Sequence, residues 1–231
     1  MLRKLLSVLR DDSLLHAIGK DFVHMLGRAE SMTSLAGEIY TRGAPKPDRK
    51  RLYDLDLEVN LLERDIRKQI AAHLTMPGNS SDAAFCLRLM ILVKDVERIG
   101  DYAKNLAELD DLRHDPLPED AIVRDLLEIR QAVETSFRDV AETVATSDRD
   151  RATNLIPTGR RTAQQCDGLV RRISRATYGT STTVVLVLGA RYYKRINGHL
   201  LNLLSSVVMP VHKIDYHDED EIPQPASQEE E

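Results

Sequence analysis

Six stretches of this 231-residue sequence repeat apolar residues every three or four positions, and none alternates apolar and polar residues at a period of two. The first carries Leu14, Ile18, Phe22, Met25, Ala29, Met32, Leu35 and Ile39, and Gly43 and Pro45 end it. The second runs from about 48 to 74, with Leu52, Leu55, Val59, Leu62, Ile66 and Ile70 on one face. The third runs from about 81 to 113, before Pro116 and Pro118. The fourth holds Ile122, Leu126, Ile129, Val133, Phe137, Val140 and Val144. The fifth, about 150 to 176, contains Pro157, which is expected to kink or restart it. The sixth follows YGTST and reaches about 214. Its opening, TTVVLVLGA, is β-branched and locally strand-like, but the periodicity that continues beyond it predicts helix. The expectation is an all-α chain of six long helices with short connections, hence antiparallel neighbours in a bundle.

The third and sixth windows echo each other. At an offset of 97, VERIGDYAKNL (96–106) faces YKRINGHLLNL (193–203), matching Arg98 with Arg195, Ile99 with Ile196, Asn105 with Asn202 and Leu106 with Leu203. The offset is about half the folded length, and each segment is the third helix of a trio. The sequence therefore predicts two tandem three-helix bundles related by an internal repeat. Their expected extents are 1–115 and 116–214, joined near DPLPED, and the tail 215–231 is expected to be acidic and disordered.

Charge follows the same division. Eight acids and no Lys or Arg fall in the last seventeen residues; without them the count is 29 acids to 32 bases, a mildly basic body. The tail is read as solvating, with shielding of a basic face as the sharper alternative. No apolar run is long enough for a membrane span, and MLRKLLSVLRDD has no adequate apolar stretch followed by a small-residue cleavage site, so it is not expected to be a secretory signal. Two cysteines, Cys86 and Cys166, lack partners at zinc spacing and are expected to be buried in a protein of a reducing compartment.

VERIGDYAKN resembles the signature of PhoU proteins, the cytoplasmic regulators of phosphate uptake. Their first repeat reads close to D-L-E-R-I-G-D-H-A-x-N, after an acidic helix of the kind seen here in LDLEVNLLERDI. Their second often carries R-Y-Y-E-R-I-G-D-H-A-x-N, of which ARYYKRINGHLLN keeps Arg191, Tyr192, Tyr193, Arg195, Ile196, His199 and Asn202. The resemblance spans roughly residues 13–212. It implies two three-helix bundles, a cytoplasmic homodimer without enzymatic activity, and contact with a membrane phosphate transporter and a sensor histidine kinase.

In that family the E-x-x-x-D pair of each third helix binds metal. Carried over, Glu97 and Asp101 are the first-repeat ligands, with Asn105 continuing their stripe and Asp56, Asn60 and Glu63 able to face them from the preceding helix. Four-residue spacing puts both carboxylates on one helix face. Oxygen-rich sets suit hard ions, and the resemblance points to a divalent or trivalent ion such as iron, zinc, manganese or nickel. The plain alternative is a solvated acidic face paired with Arg98 and Lys104. In the second repeat Lys194 and Gly198 replace the acidic pair, so that site is expected to be lost. A metal-binding bundle remains the alternative to a docking regulator.

Other chemistry is poorly supported. A di-iron bundle needs Glu-x-x-His, and the sequence offers Asp21-x-x-His24 and Asp111-x-x-His114. No GxSxG, P-loop, GxGxxG or HExxH occurs, so no catalytic residue or organic cofactor is assigned. Arg149, Arg151, Arg160, Arg161, Arg171, Arg172 and Arg175 make the fifth window basic, either a solvated face or a docking surface for an acidic partner or anionic headgroups. Nucleic-acid binding is not expected, since no DNA-binding motif and no interleaved aromatics accompany it.

Overall fold

A computed structural model of the chain describes residues 14–43 and 46–214. The expectations for the basic N-terminal stretch and for the acidic tail fall outside these residues. The described residues form six long helices: α1 (Leu14–Arg42), α2 (Lys46–Thr75), α3 (Ala83–Glu108), α4 (Ala121–Thr146), α5 (Arg149–Ile173) and α6 (Thr180–Val208). Short 3-10 turns cover Asn79–Asp82, Leu109–Leu112 and Val211–Lys213. The described residues contain no strand.

Local chemistry sets the ends. Gly43 has φ 79° and returns its amide to the Ile39 carbonyl at 2.9 Å, a left-handed stop that a glycine takes without cost. Asp120 caps α4 by accepting the Val123 amide at 2.9 Å, and Asp148 caps α5 by accepting the Arg151 amide at 3.0 Å. Only Ser147 and Asp148 separate α4 from α5, which forces an antiparallel hairpin. The third window closes earlier than its periodicity suggested: α3 ends at Glu108 and tightens into a 3-10 turn. Pro157 does not restart its helix, because α5 runs unbroken from Arg149 to Ile173 and buries Ala152, Gly159, Thr162, Cys166 and Leu169 on one side. TTVVLVLGA is helical, as expected.

Within each half the three helices pack pairwise, α1 with α2 and α3, and α4 with α5 and α6. The halves are joined along α3 against α6 and α1 against α4, and one continuous apolar cluster threads all six helices. Repeat-related positions play the same part: Ile99 and Ile196 are wholly buried, as are Leu106 and Leu203. Tyr40 of α1 crosses into the second half. Its ring meets Tyr193 edge-on at 6.4 Å, its hydroxyl donates to the Val185 carbonyl at 3.2 Å, and it fills the space that Gly189 leaves. Arg113, in the connection between the halves, donates to the Tyr40 and Thr41 carbonyls at 3.3 and 3.2 Å, closing the carbonyl end of α1 with positive charge. Arg130 of α4 reaches the Gly37 carbonyl at 3.0 Å and also binds Glu38. Cys86 and Cys166 are free and buried, as expected. Burial, with Asp167 beside it, pushes the Cys166 thiol up to about 12, so it is unreactive at neutral pH.

Candidate functional site

The acidic set expected of the first repeat lies on the seam between α2 and α3. Asp56 and Asn60 come from α2, and Glu97, Asp101 and Asn105 from α3. The apolar stripe of α3, with Leu92, Val96 and Ile99 in the core, rotates Glu97 to the flank and Asp101 further out. Their side chains are 12% and 33% exposed, which matches that rotation.

What joins the carboxylates is lysine. Lys104 Nζ lies 3.0 Å from Asp56 and 3.5 Å from Asp101, linking the two helices. Burial alone would lower the Lys104 ammonium, but its bonds to Asp56 and Asp101 outweigh that and hold it above its ordinary range. Toward the start of α3, Lys94 Nζ is 2.5 Å from Glu97 and 4.0 Å from Glu63, and Arg67 holds Glu63 at 3.0 Å. Arg98 adds a looser contact to Asp101 at 3.7 Å. Asn60 and Asn105 are half-buried on the same helices. The structure thus brings together Asp56 with Asp101 and Glu63 with Glu97, each pair around a lysine. Among the described residues, no three His, Cys, Asp or Glu side chains are grouped as metal ligands.

The corresponding seam of the second repeat, between α5 and α6, is built with the opposite charge. Lys194 and Gly198 stand at the positions of Glu97 and Asp101, with Arg191 and Arg195 beside them. Asp167 of α5 pairs with Lys194 at 2.5 Å and Arg191 at 3.6 Å. A pocket of about 430 Å³ opens there.

Between the two seams lies a polar cluster not anticipated from the sequence. Asp95, buried on α3, accepts from Asn202 Nδ2 at 2.9 Å and sits 2.8 Å from His199 Nδ1, both on α6. The His199 ring stacks on Tyr102 at 5.8 Å, and Tyr102 also meets Tyr192 at 6.1 Å. Burying a carboxylate is costly unless it is bonded, and these two partners satisfy one of its oxygens. The available signal was a carboxylate inside the α3 apolar stripe, between Leu92 and Val96.

The basic face of α5 is partly tied down. Arg151 pairs with Asp139 at 2.8 Å and Glu142 at 2.7 Å, and Arg172 pairs with Asp125. Arg171 and Arg175 are exposed.

An all-helical protein of two fused three-helix units is the class defined by this fold and these paired seams. Residues 22–109 match the model of the PhoU domain, covering most of α1 and all of α2 and α3. The fold is similar to that of PhoU from Pseudomonas aeruginosa, with a TM-score of 0.75 at 19% identity over 84% of this chain and 95% of that one. It is equally similar to the phosphate transport system regulatory protein PhoU from Streptococcus pneumoniae, with a TM-score of 0.74 at 16% identity over 87% and 95%. A segment of 60 residues is 37% identical to the phosphate-specific transport system accessory protein PhoU homolog of a Synechocystis strain. That match spans 26% of this chain and 27% of the relative's length. The first half of the chain thus carries a match to the PhoU domain, and the described residues share the fold of the PhoU structures.

Proposed function

We propose that this protein is a non-enzymatic regulator of phosphate uptake that acts by docking, from the cytoplasmic side, to a membrane phosphate transporter and a sensor histidine kinase. The observation that carries the reading is the PhoU domain over residues 22–109, whose ERIGD stretch lies at the seam of α2 and α3. No described helix is long and apolar enough to cross a membrane. Residues 1–115 and 116–214 serve as the two repeat units, and the working form is a homodimer. Deleting the gene should change phosphate uptake or its transcriptional response, and transporter components should be captured on the tagged protein. An unchanged uptake response in the deletion strain would sink the reading. A light-scattering mass fixed near 26 kDa across a wide concentration range would remove the dimer.

A second reading has one observation in its favour: Asp56 and Asp101, from different helices, reach the same lysine. A divalent ion replacing the Lys104 ammonium would find oxygen donors on both sides. Binding to the folded state alone would raise the melting temperature. Iron, zinc, manganese and nickel should then each be tried, with Glu97→Ala/Asp101→Ala abolishing any shift and Lys194→Ala leaving it intact. Absence of a shift in the wild-type protein with every ion would remove this reading.

A further inference from the structure

We propose that the α5–α6 seam, at the position of the lost second acidic pair, is a binding site for a phosphate-class oxyanion. The proposal deepens the phosphate-uptake reading and rests on it for the choice of phosphate; that the seam takes an anion rests on the pocket itself.

The pocket, about 430 Å³, is lined on α6 by Arg191, Lys194, Arg195, Gly198 and His199, and on α5 by Ala163. No Asp or Glu is among its lining residues. The α6 positions 191, 194, 195 and 198 are spaced so that they fall on one helix face, and three of them are cations. At the fourth, Gly198, an added Cβ would meet nothing within 4 Å, so the floor between the cations is open. The carboxylate of Asp167, one turn along α5 from Ala163, holds Lys194 at 2.5 Å and Arg191 at 3.6 Å. It acts as a resident anion at the edge of the site, and shows that the side chains converge as an anion needs. Arg195 is exposed and forms no ion pair among the described residues. Asp95 lies behind the lining, bonded to His199 and Asn202, so among the described residues Asp167 is the one carboxylate paired with any of these three cations, and the seam has room for a further anion. A phosphate group supplies such an anion with several acceptor oxygens, which suit guanidinium forks better than a second carboxylate does. The same geometry would accept free phosphate or the phosphate of a lipid headgroup.

The test is isothermal titration of the full chain with inorganic phosphate at low ionic strength, alongside binding to vesicles of phosphatidylcholine with and without phosphatidylglycerol. Saturable binding of either probe is expected. Arg195→Ala and Lys194→Ala should each weaken it about tenfold, the worth of one charge-assisted contact. Asp167→Asn should tighten it by removing the internal competitor, and Lys94→Ala, on the flank of the first repeat, should leave it unchanged. Binding of phosphate identifies the free ion as the source. Binding of phosphatidylglycerol vesicles alone, lost in Arg195→Ala, identifies the headgroup. The proposal is overturned if neither probe binds wild type or Asp167→Asn, or if binding survives Lys194→Ala/Arg195→Ala in protein that melts as wild type does. Because purified protein is titrated, that outcome is separate from the uptake phenotype that tests the docking reading.

Discussion

The first and second halves share a packing plan and differ in what they place on it. In both, the third helix of the trio buries an isoleucine and a leucine at repeat-related positions, Ile99 with Leu106 and Ile196 with Leu203. On the outward flank, the first half alternates charges, so that Lys94 and Lys104, with Arg67 and Arg98, pair four carboxylates in place. The second half masses three cations on α6 against Asp167. A buried apolar position is constrained by packing density, where a single methylene is felt. A flanking charge is constrained only by its neighbours, and exposed pairs contribute about 0–1 kcal/mol each. The core can therefore stay symmetric while the flanks diverge, and the divergence is where functions can separate.

The largest expected effect tests whether the halves are one cooperative unit. Tyr40 is wholly buried and spans the junction at Gly189. Tyr40→Ala should cost about 3–5 kcal/mol, the usual range for emptying an aromatic core site. If the halves share stability, urea unfolding of the variant stays a single transition at a lower midpoint. Two separated transitions would show that the halves fold independently, and the symmetric core would then be two cores in contact.

A smaller effect separates the flanks. Lys104→Met leaves Asp56 without its cation and Asp101 with only the looser Arg98 contact, and should cost about 1 kcal/mol. Lys194→Met, which relieves crowding with Arg191 as it breaks the Asp167 pair, should cost less. Equal losses, measured as shifts in denaturation midpoint, would mean that the two flanks carry the same electrostatic weight.

The fold was far more legible in the sequence than the site. Helical periodicity located all six helices, because a buried stripe such as Leu52, Leu55, Val59, Ile66 and Ile70 is local information. Pro157 lies on the exposed side of α5 and the helix continues past it, so the restart that a proline can impose does not occur. At the site, the i,i+3 pairs Lys94–Glu97 and Arg98–Asp101 follow from spacing alone. The Lys104–Asp56 bridge depends on the register between α2 and α3, and the Asp95–His199–Asn202 cluster on the docking of the two halves. Those contacts span 48 residues in the first case and 104 and 107 in the second, separations that no local pattern encodes.

A third effect compares how the two trios are held at their ends. Asp120 caps α4 and accepts from the Tyr178 hydroxyl, whereas Asp82, before α3, makes no side-chain cap bond to its helix and pairs with His73 at 3.0 Å instead. The bond from Tyr178, then the Val123 amide, holds the Asp120 carboxyl below the usual carboxylate range. A depressed folded value stabilises above the unfolded one and is lost as pH falls through the folded one. Asp120→Ala should therefore cost about 1 kcal/mol at neutral pH. That gap between variant and wild type should shrink below about pH 4. A gap that stays constant down to about pH 2 would show that the carboxylate's charge is not what the cap uses.

The smallest effect on stability carries the most information about the flanks. Lys194→Glu with Gly198→Asp writes the first repeat's acidic pair onto the second. Gly198 has open space around its Cβ position and helical surroundings, so aspartate fits there without displacing a neighbour. Replacing a helical glycine recovers some of the roughly 0.5–1 kcal/mol that glycine costs, against the loss of the Lys194–Asp167 pair, and the net should lie within about 0.5 kcal/mol of zero. The ligand preference should change far more. The two introduced carboxylates would lie near Asp167, with Arg191 and Arg195 as the remaining cations, so anion binding at this seam should disappear while the first seam stays as it was. Melting curves with and without phosphate, and with and without manganese, read both outcomes on one protein. If phosphate binding persists in this variant, the charge on α6 does not govern the second seam, and the contrast between the halves is a difference of surface without a difference of role.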